Sequence, residues 1–201
     1  MKPQLNLLEE AKILVVGDII LDRYWMGESK RISPEAPVPV VHGKKVLNRL
    51  GGAGNVAANV ASLGCSVSLL GYVGQDEEGD LVRKLLKECQ IESGLISRED
   101  LNTTVKIRVI SQGQQLVRVD FEDSSNKFKS DHLTKAFQEI VDDYHLVIFS
   151  DYLKGALHDV SQLIALANER HKRVIADPKG SDFSRYKGAY LITPNMKEFE
   201  A

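Results

Sequence analysis

A chain of 201 residues, 43% hydrophobic and 27% charged, is long enough to bury one good-sized core and too apolar to stay disordered. Its formal charge of −2, with no dense lysine and arginine block, gives no electrostatic footprint for nucleic acid, so an anionic ligand must be caught by a local site. The opening Met1-Lys2-Pro3-Gln4-Leu5-Asn6 lacks the apolar core of a signal peptide. No apolar run nears the roughly 18 residues that span a bilayer, so no membrane partner and a cytoplasmic location are expected.

Buried strands are predicted at Ile13–Val16, Val67–Leu70, Leu146–Phe149, Val174–Ala176 and Tyr190–Ile192. Helical spacing of apolar residues over 77–89, 131–143 and 157–171 alternates with them, the pattern of an α/β doubly wound, mostly parallel sheet. Asp131 and Asp159 stand at plausible helix starts. Two segments break the rhythm. Pro37–Val41 looks extended, and Thr104–Ile110 with Gln115–Phe121 reads as a hairpin around Ser111-Gln112-Gly113-Gln114. In its first arm Val105, Ile107 and Val109 share one face and Lys106, Arg108 and Ile110 the other. Such a sheet could cover a ligand, pair with a second subunit through its apolar face, or pack on its own domain. Cys65 and Cys89 lack CxxC spacing and are expected to be reduced and partly buried, and the five histidines form no ligand set.

The segment Gly51-Gly52-Ala53-Gly54-Asn55 opens a helix rich in small residues, with Ala57, Ala58 and Ala61 suited to packing on a sheet and Gly64 as its stop. The N-terminus of that helix suits an anion or sugar hydroxyls, with Asn55 and Asn59 near the ligand end. Gly52-x-Gly54-x-x-Ala57 loosely fits a dinucleotide fingerprint, but the first strand lies some thirty residues upstream and the expected acidic residue is missing.

Four clusters fall at the carboxyl ends of predicted strands, where open α/β sheets bind ligands. Asp18 and Asp22 could accept hydrogen bonds from sugar hydroxyls, or Asp18 could cap a turn. Ser150-Asp151-Tyr152 is the second. In Asp177-Pro178-Lys179-Gly180, Lys179 is suited to a phosphate or is simply solvated. Asn195 and Glu198 could form a capping box, or organise water and Mg²⁺ beside phosphates. The sequence has no Gly-x-x-x-x-Gly-Lys-Ser/Thr, so a kinase built on it would not be a P-loop enzyme.

These residues, with Arg31-Ile32-Ser33-Pro34-Glu35-Ala36-Pro37-Val38-Pro39-Val40 and Gln114–Asp120, resemble the ribokinase-like (PfkB) carbohydrate kinases over nearly the whole chain. Within them the chain looks very like the kinase domain of bacterial heptose-7-phosphate kinases. The resemblance implies phosphorylation of D-glycero-β-D-manno-heptose 7-phosphate at its anomeric hydroxyl with ATP and Mg²⁺, on the route to the activated heptose of lipopolysaccharide. It implies that Asp18, Asp22, Gly51, Gly52, Asn55 and Asp151 hold the sugar and that Arg108 and Gln115 face it from a β lid. Lys179, Asn195 and Glu198 would meet Mg-ATP, with Glu198 reaching the metal through water, and Arg108, Lys179 and Arg185 are candidates for the 7-phosphate.

Lid segments at about 23–49 and 103–122 and a homodimer through the lid are further implications, as is residues 1–201 being the N-terminal part of the kinase domain. The family's Gly-Ala-Gly-Asp motif, with the catalytic base, would lie beyond residue 201, so this polypeptide alone is expected to be inactive. Another PfkB-type sugar or nucleoside kinase, or a non-catalytic sugar-phosphate-binding protein, are the alternatives.

Overall fold

A computed structural model describes residues 6–124, 128 and 131–200. In chain order its elements begin with α1 (Asn6–Glu9), β1 (Lys12–Gly17), β2 (Ile19–Ile32), β3 (Pro39–Gly52), α2 (Ala53–Ser62) and β4 (Ser66–Gly74). Next come α3 (Glu77–Glu88), β5 (Glu92–Arg98), β6 (Thr104–Ser111), β7 (Gln114–Phe121) and α4 (His132–Ile140). The chain continues through β8 (Leu146–Ser150), α5 (Val160–Glu169), β9 (Arg173–Asp177), β10 (Leu191–Ile192) and α6 (Met196–Glu200).

One sheet is parallel throughout, in the order β10-β9-β8-β1-β4-β5. Its central strand β1 is a continuous apolar run because both faces are covered. Leu14 and Val16 pack with Phe137 of α4 and Leu163 and Ile164 of α5, while Ile13 and Val15 pack with Ala53 and Ala57 of α2 and Val82 and Leu86 of α3. Chain order runs outward from β1 through β4 and β5, then jumps to β8 on the other side. This reversal opens a crevice at the carboxyl ends of β1 and β8.

The second sheet, β3-β2-β6-β7, stands outside the first. Strands β2 and β3 are 14 residues each, far longer than the extended stretch read from Pro37–Val41. Pro37 and Val38 lie outside β3, in a loop where Ser33 N–H donates to the Val38 carbonyl at 2.8 Å. The β6–β7 hairpin turns at Gln112 and Gly113, both at positive φ (50° and 81°), the pairing of dihedrals that a two-residue hairpin turn needs.

Strand β5 escaped prediction because its sequence, Glu-Ser-Gly-Leu-Ile-Ser-Arg, is mostly polar and half-exposed, as an edge strand permits. Asp131 and Asp159 do sit at the helix starts, but neither side chain makes a capping bond. The start of α3 is capped instead, by Asp76, whose Oδ1 accepts from Gly79 N–H at 2.7 Å. Cys65 is buried as expected, whereas Cys89 is exposed.

Candidate active-site crevice

Asp18 follows β1 directly and enters the crevice, yet its carboxylate is not offered to a ligand. It is 2% exposed, and three backbone N–H groups point at it, from Tyr152 (2.7 Å), Lys154 (3.1 Å) and Ala156 (3.0 Å). It holds the 151–156 loop against β1. Burial pushes the Asp18 carboxyl above its ordinary value in spite of those donors, and the neighbouring Asp151 carboxylate adds to the push. Asp151 is equally enclosed. Its Oδ1 accepts from Leu153 N–H at 2.7 Å, its Oδ2 accepts from the Tyr186 hydroxyl at 2.8 Å, and Arg185 stands 3.3 Å away. Of the three aspartates expected to hold the sugar, Asp18 and Asp151 are thus engaged by protein donors in this structure, and Arg185 pairs with Asp151 and donates to the Leu157 carbonyl.

Asp22 is arranged differently. Four residues along, near the base of β2, it pairs with Arg49 of β3 and lies diagonally across from the double glycine, since β2 and β3 register Ile20 with Gly51 and Ile19 with Gly52. A Cβ on Gly51 would fall 2.5 Å from the Asp22 Oδ2, so only glycine leaves that carboxylate its place. Gly52 has φ of 53° and a Cβ there would meet the Asp18 carbonyl oxygen at 2.4 Å, so a side chain is excluded twice. Gly52 is the N-cap of α2, with no side-chain cap, and α2 opens with Ala53 N–H bonded to the Asp18 carbonyl at 2.9 Å. Asn55 and Asn59 on this helix are exposed.

Arg108 of β6 reaches across to pair with Asp22 at 2.5 Å, both partly buried. Gln115 shares that face of the lid but registers with Ile110 and so with Met26, four residues beyond Asp22, roughly 13 Å farther toward the lid tip. The structure does not bring it to the Asp22 cluster.

A second cluster gathers at the ends of β9 and β10. Lys179 Nζ pairs with Glu198 Oε1 at 2.9 Å. Glu198 Oε2 accepts from Asn195 N–H at 3.0 Å, and Asn195 Oδ1 accepts from Glu198 N–H at 3.1 Å, the reciprocal bonds of a capping box. Lys179 holds the Glu198 carboxyl below its ordinary value, and Glu198 in return pushes the ammonium up. Beside them Asp177 is raised by burial, with the Thr193 hydroxyl donating to it at 3.3 Å.

Tyr152 joins the two clusters. Burial pushes its hydroxyl up; the carboxylates of Asp177, Asp22 and Glu198 push the same way, and Lys179 opposes them. Tyr152, just after β8 and held by its N–H on Asp18, is within electrostatic reach of both Asp22 at the lid base and Lys179 with Glu198 at the sheet end. Sequence reading quoted Tyr152 and Asp177 inside motifs without assigning either a role. The signal for Tyr152 was its place directly after a strand at the reversal of sheet order, which needs the topology to be seen.

A carboxylate paired with an arginine at the lid base and a cation beside a helix start, at the switch point of a parallel sheet, suit a sugar on one side and a phosphate on the other. Residues 10–201 match the family described as pfkB family carbohydrate kinase, and the chain belongs to that family. The bifunctional protein HldE of Shewanella amazonensis is 50% identical over 201 residues, which cover 100% of this chain and 42% of the relative. Among solved structures, ribokinase from Arabidopsis thaliana complexed with ribose and ATP is similar with a TM-score of 0.67 at 19% identity, over 94% of this chain and 62% of that one. Phosphofructokinase-2 from Escherichia coli, in its tetrameric inhibited form, gives 0.70 at 22% identity, over 95% and 63%. The chain thus spans less than half the length of the curated relative and under two thirds of the solved kinases.

Proposed function

We propose that the chain binds D-glycero-β-D-manno-heptose 7-phosphate and Mg-ATP and forms part of a kinase that phosphorylates the anomeric hydroxyl, in the route to ADP-heptose for lipopolysaccharide. The placing of the Asp22–Arg108 pair and of the Lys179–Glu198 pair with its Asn195 box at the carboxyl ends of the parallel sheet's strands, beside its switch point, carries this reading. Likeness to part of HldE across the whole of this chain, with the Arg31–Val40 and Asp177–Gly180 runs, supports the heptose over other sugars.

In this reading the Asp22 carboxylate accepts hydrogen bonds from sugar hydroxyls, and the uncapped start of α2 at Gly52 donates N–H groups to the same sugar. Gly51 keeps the approach open. Lys179 supplies a mobile positive charge for ATP phosphates, exchanging its pairing with Glu198 for them. Glu198 reaches Mg²⁺ through water. Among the described residues no group of three His, Cys, Asp or Glu could hold a metal, which suits an ion held mainly by phosphate oxygens and waters. When bound, that ion neutralises charge on the transferring phosphoryl group.

No catalytic base is assigned within these residues. Asp18 and Asp151 are engaged by N–H and O–H donors, and the sequence holds no Gly-Ala-Gly-Asp. We expect these 201 residues to bind without turnover.

The lid's outer face supports a homodimer. Register puts Trp25 beside Val46 and Val109, and Val109 beside Val117, with Val119 and Phe121 on the same face. Trp25, Val46, Val117, Val119 and Phe121 are all at least 40% exposed, a patch that a second lid would cover. No helix among the described residues is long and apolar enough to cross a membrane, and ATP with a sugar phosphate supports the cytoplasm as the compartment.

ADP release by the complete gene product, with heptose 7-phosphate and a panel of other sugars and with the 201-residue chain in parallel, tests the reading. Turnover on the heptose alone by the long protein, with none from the chain, is the expected result. Turnover on another sugar in preference would replace the substrate, and turnover by the chain would overturn its proposed inactivity.

A further inference from the structure

The lid's inner face, the one that carries Asp22, holds more positive charge than its carboxylates balance. Register aligns Asp22 with Arg49 and Lys106, Lys106 with Asp120, and Arg108 with Arg118, so four cations share that face with two carboxylates. Arg108 is paired with Asp22, while Lys106 and Arg118 both go to Asp120. Arg49 is exposed and, among the described residues, makes no ion pair. It lies instead on the Tyr24 ring, 5.7 Å from the centroid, and Arg108 lies on the same ring at 5.4 Å.

Two guanidinium groups gathered on one ring repel each other, and the ring quadrupole offsets only part of that repulsion. An anion between them reverses the sign of the interaction. A phosphate monoester suits the place, having three acceptor oxygens for two planar forks. The position is equally specific. Arg49 and Arg108 flank the Asp22 strand from opposite sides, at the lid, whereas Lys179 and Glu198 lie at the sheet end. A phosphate held by the lid is therefore one that the sugar already carries, distinct from the one being transferred.

We infer that Arg49 and Arg108, braced on Tyr24, clamp the pre-existing phosphate of the sugar-phosphate substrate, with Arg49 setting the preference for a phosphorylated over a free sugar. This rests on the sugar-phosphate kinase reading above. Arg108 also pairs with Asp22, so its loss would disturb the sugar and phosphate ends together, and Arg49 is the residue whose loss separates recognition of the phosphate from recognition of the sugar.

Calorimetric titration of the protein with heptose 7-phosphate and with the free heptose provides the test, using wild type, Arg49→Gln and Arg49→Lys. Wild type is expected to prefer the phosphorylated sugar at least tenfold. Arg49→Gln should remove about tenfold of that preference without changing affinity for the free heptose, and Arg49→Lys should restore part of it, since a point charge lacks the fork. An Arg49→Gln variant with its preference intact overturns the clamp. A wild type that binds both sugars equally also overturns it and leaves the sugar-kinase reading standing, whereas a wild type that binds neither overturns both.

Discussion

Asp18 and Asp22 lie four residues apart at one end of the crevice, and the fold uses them in opposite ways. Asp18 is buried and fully engaged by backbone donors from a loop more than 130 residues away, while Asp22 is partly open, bordered by a glycine and a movable arginine. A carboxylate whose acceptor sites are filled by fixed N–H groups has nothing left for a ligand. One paired with a side chain can exchange that partner for a substrate hydroxyl. The difference separates a residue whose loss should damage the fold from one whose loss should damage binding.

The largest expected effect follows from Asp18→Ala, which leaves three buried N–H groups without an acceptor. At about 1–3 kcal/mol for each such group, the loss should reach roughly 4 kcal/mol, read as a lower urea midpoint. An unchanged midpoint would place Asp18 with Asp22 and erase the contrast. Gly52→Ala comes next, at about 3 kcal/mol, because the new Cβ meets the Asp18 carbonyl and the residue must keep a left-handed conformation. Asp22→Asn should instead cost less than about 1 kcal/mol of stability, as expected for a single partly buried pair that still reaches water, while weakening sugar affinity at least tenfold by titration. Gly51→Ala should imitate it, by pushing the Asp22 carboxylate aside.

The smallest effect is the pH response of Glu198. Its carboxyl is held below the ordinary 4.5 by Lys179, so the stabilisation from that pair is fully present above pH 4.5 and disappears as pH falls through the lowered value. The stability gap between wild type and Glu198→Gln should therefore be constant above about pH 5 and close below pH 4.5. A gap that widens on acidification would contradict the pairing.

Buried strands and amphipathic helices were legible because alternation, apolar runs and glycine stops are local properties of the chain. Leu14 and Val16 against Ile13 and Val15 already spell a strand covered on both sides. The Asn195 and Glu198 box could be read for the same reason, since its spacing lies within one helical turn. Long β2 and β3 were hidden because their 14-residue arms mix polar and apolar residues on both faces and are buried only at the end next to the main sheet.

By itself the sequence determined the alternating α/β class, the glycine turn before α2, the capping box and the family. Only the tertiary structure decided which aspartate is filled by backbone donors and which pairs with a side chain, that Tyr152 is held on Asp18, and that Arg49 shares a ring with Arg108. Those assignments depend on backbone donors and side chains brought together from distant strands. The number of hydrogen bonds a carboxylate accepts is fixed by that packing and by nothing in its neighbours along the chain.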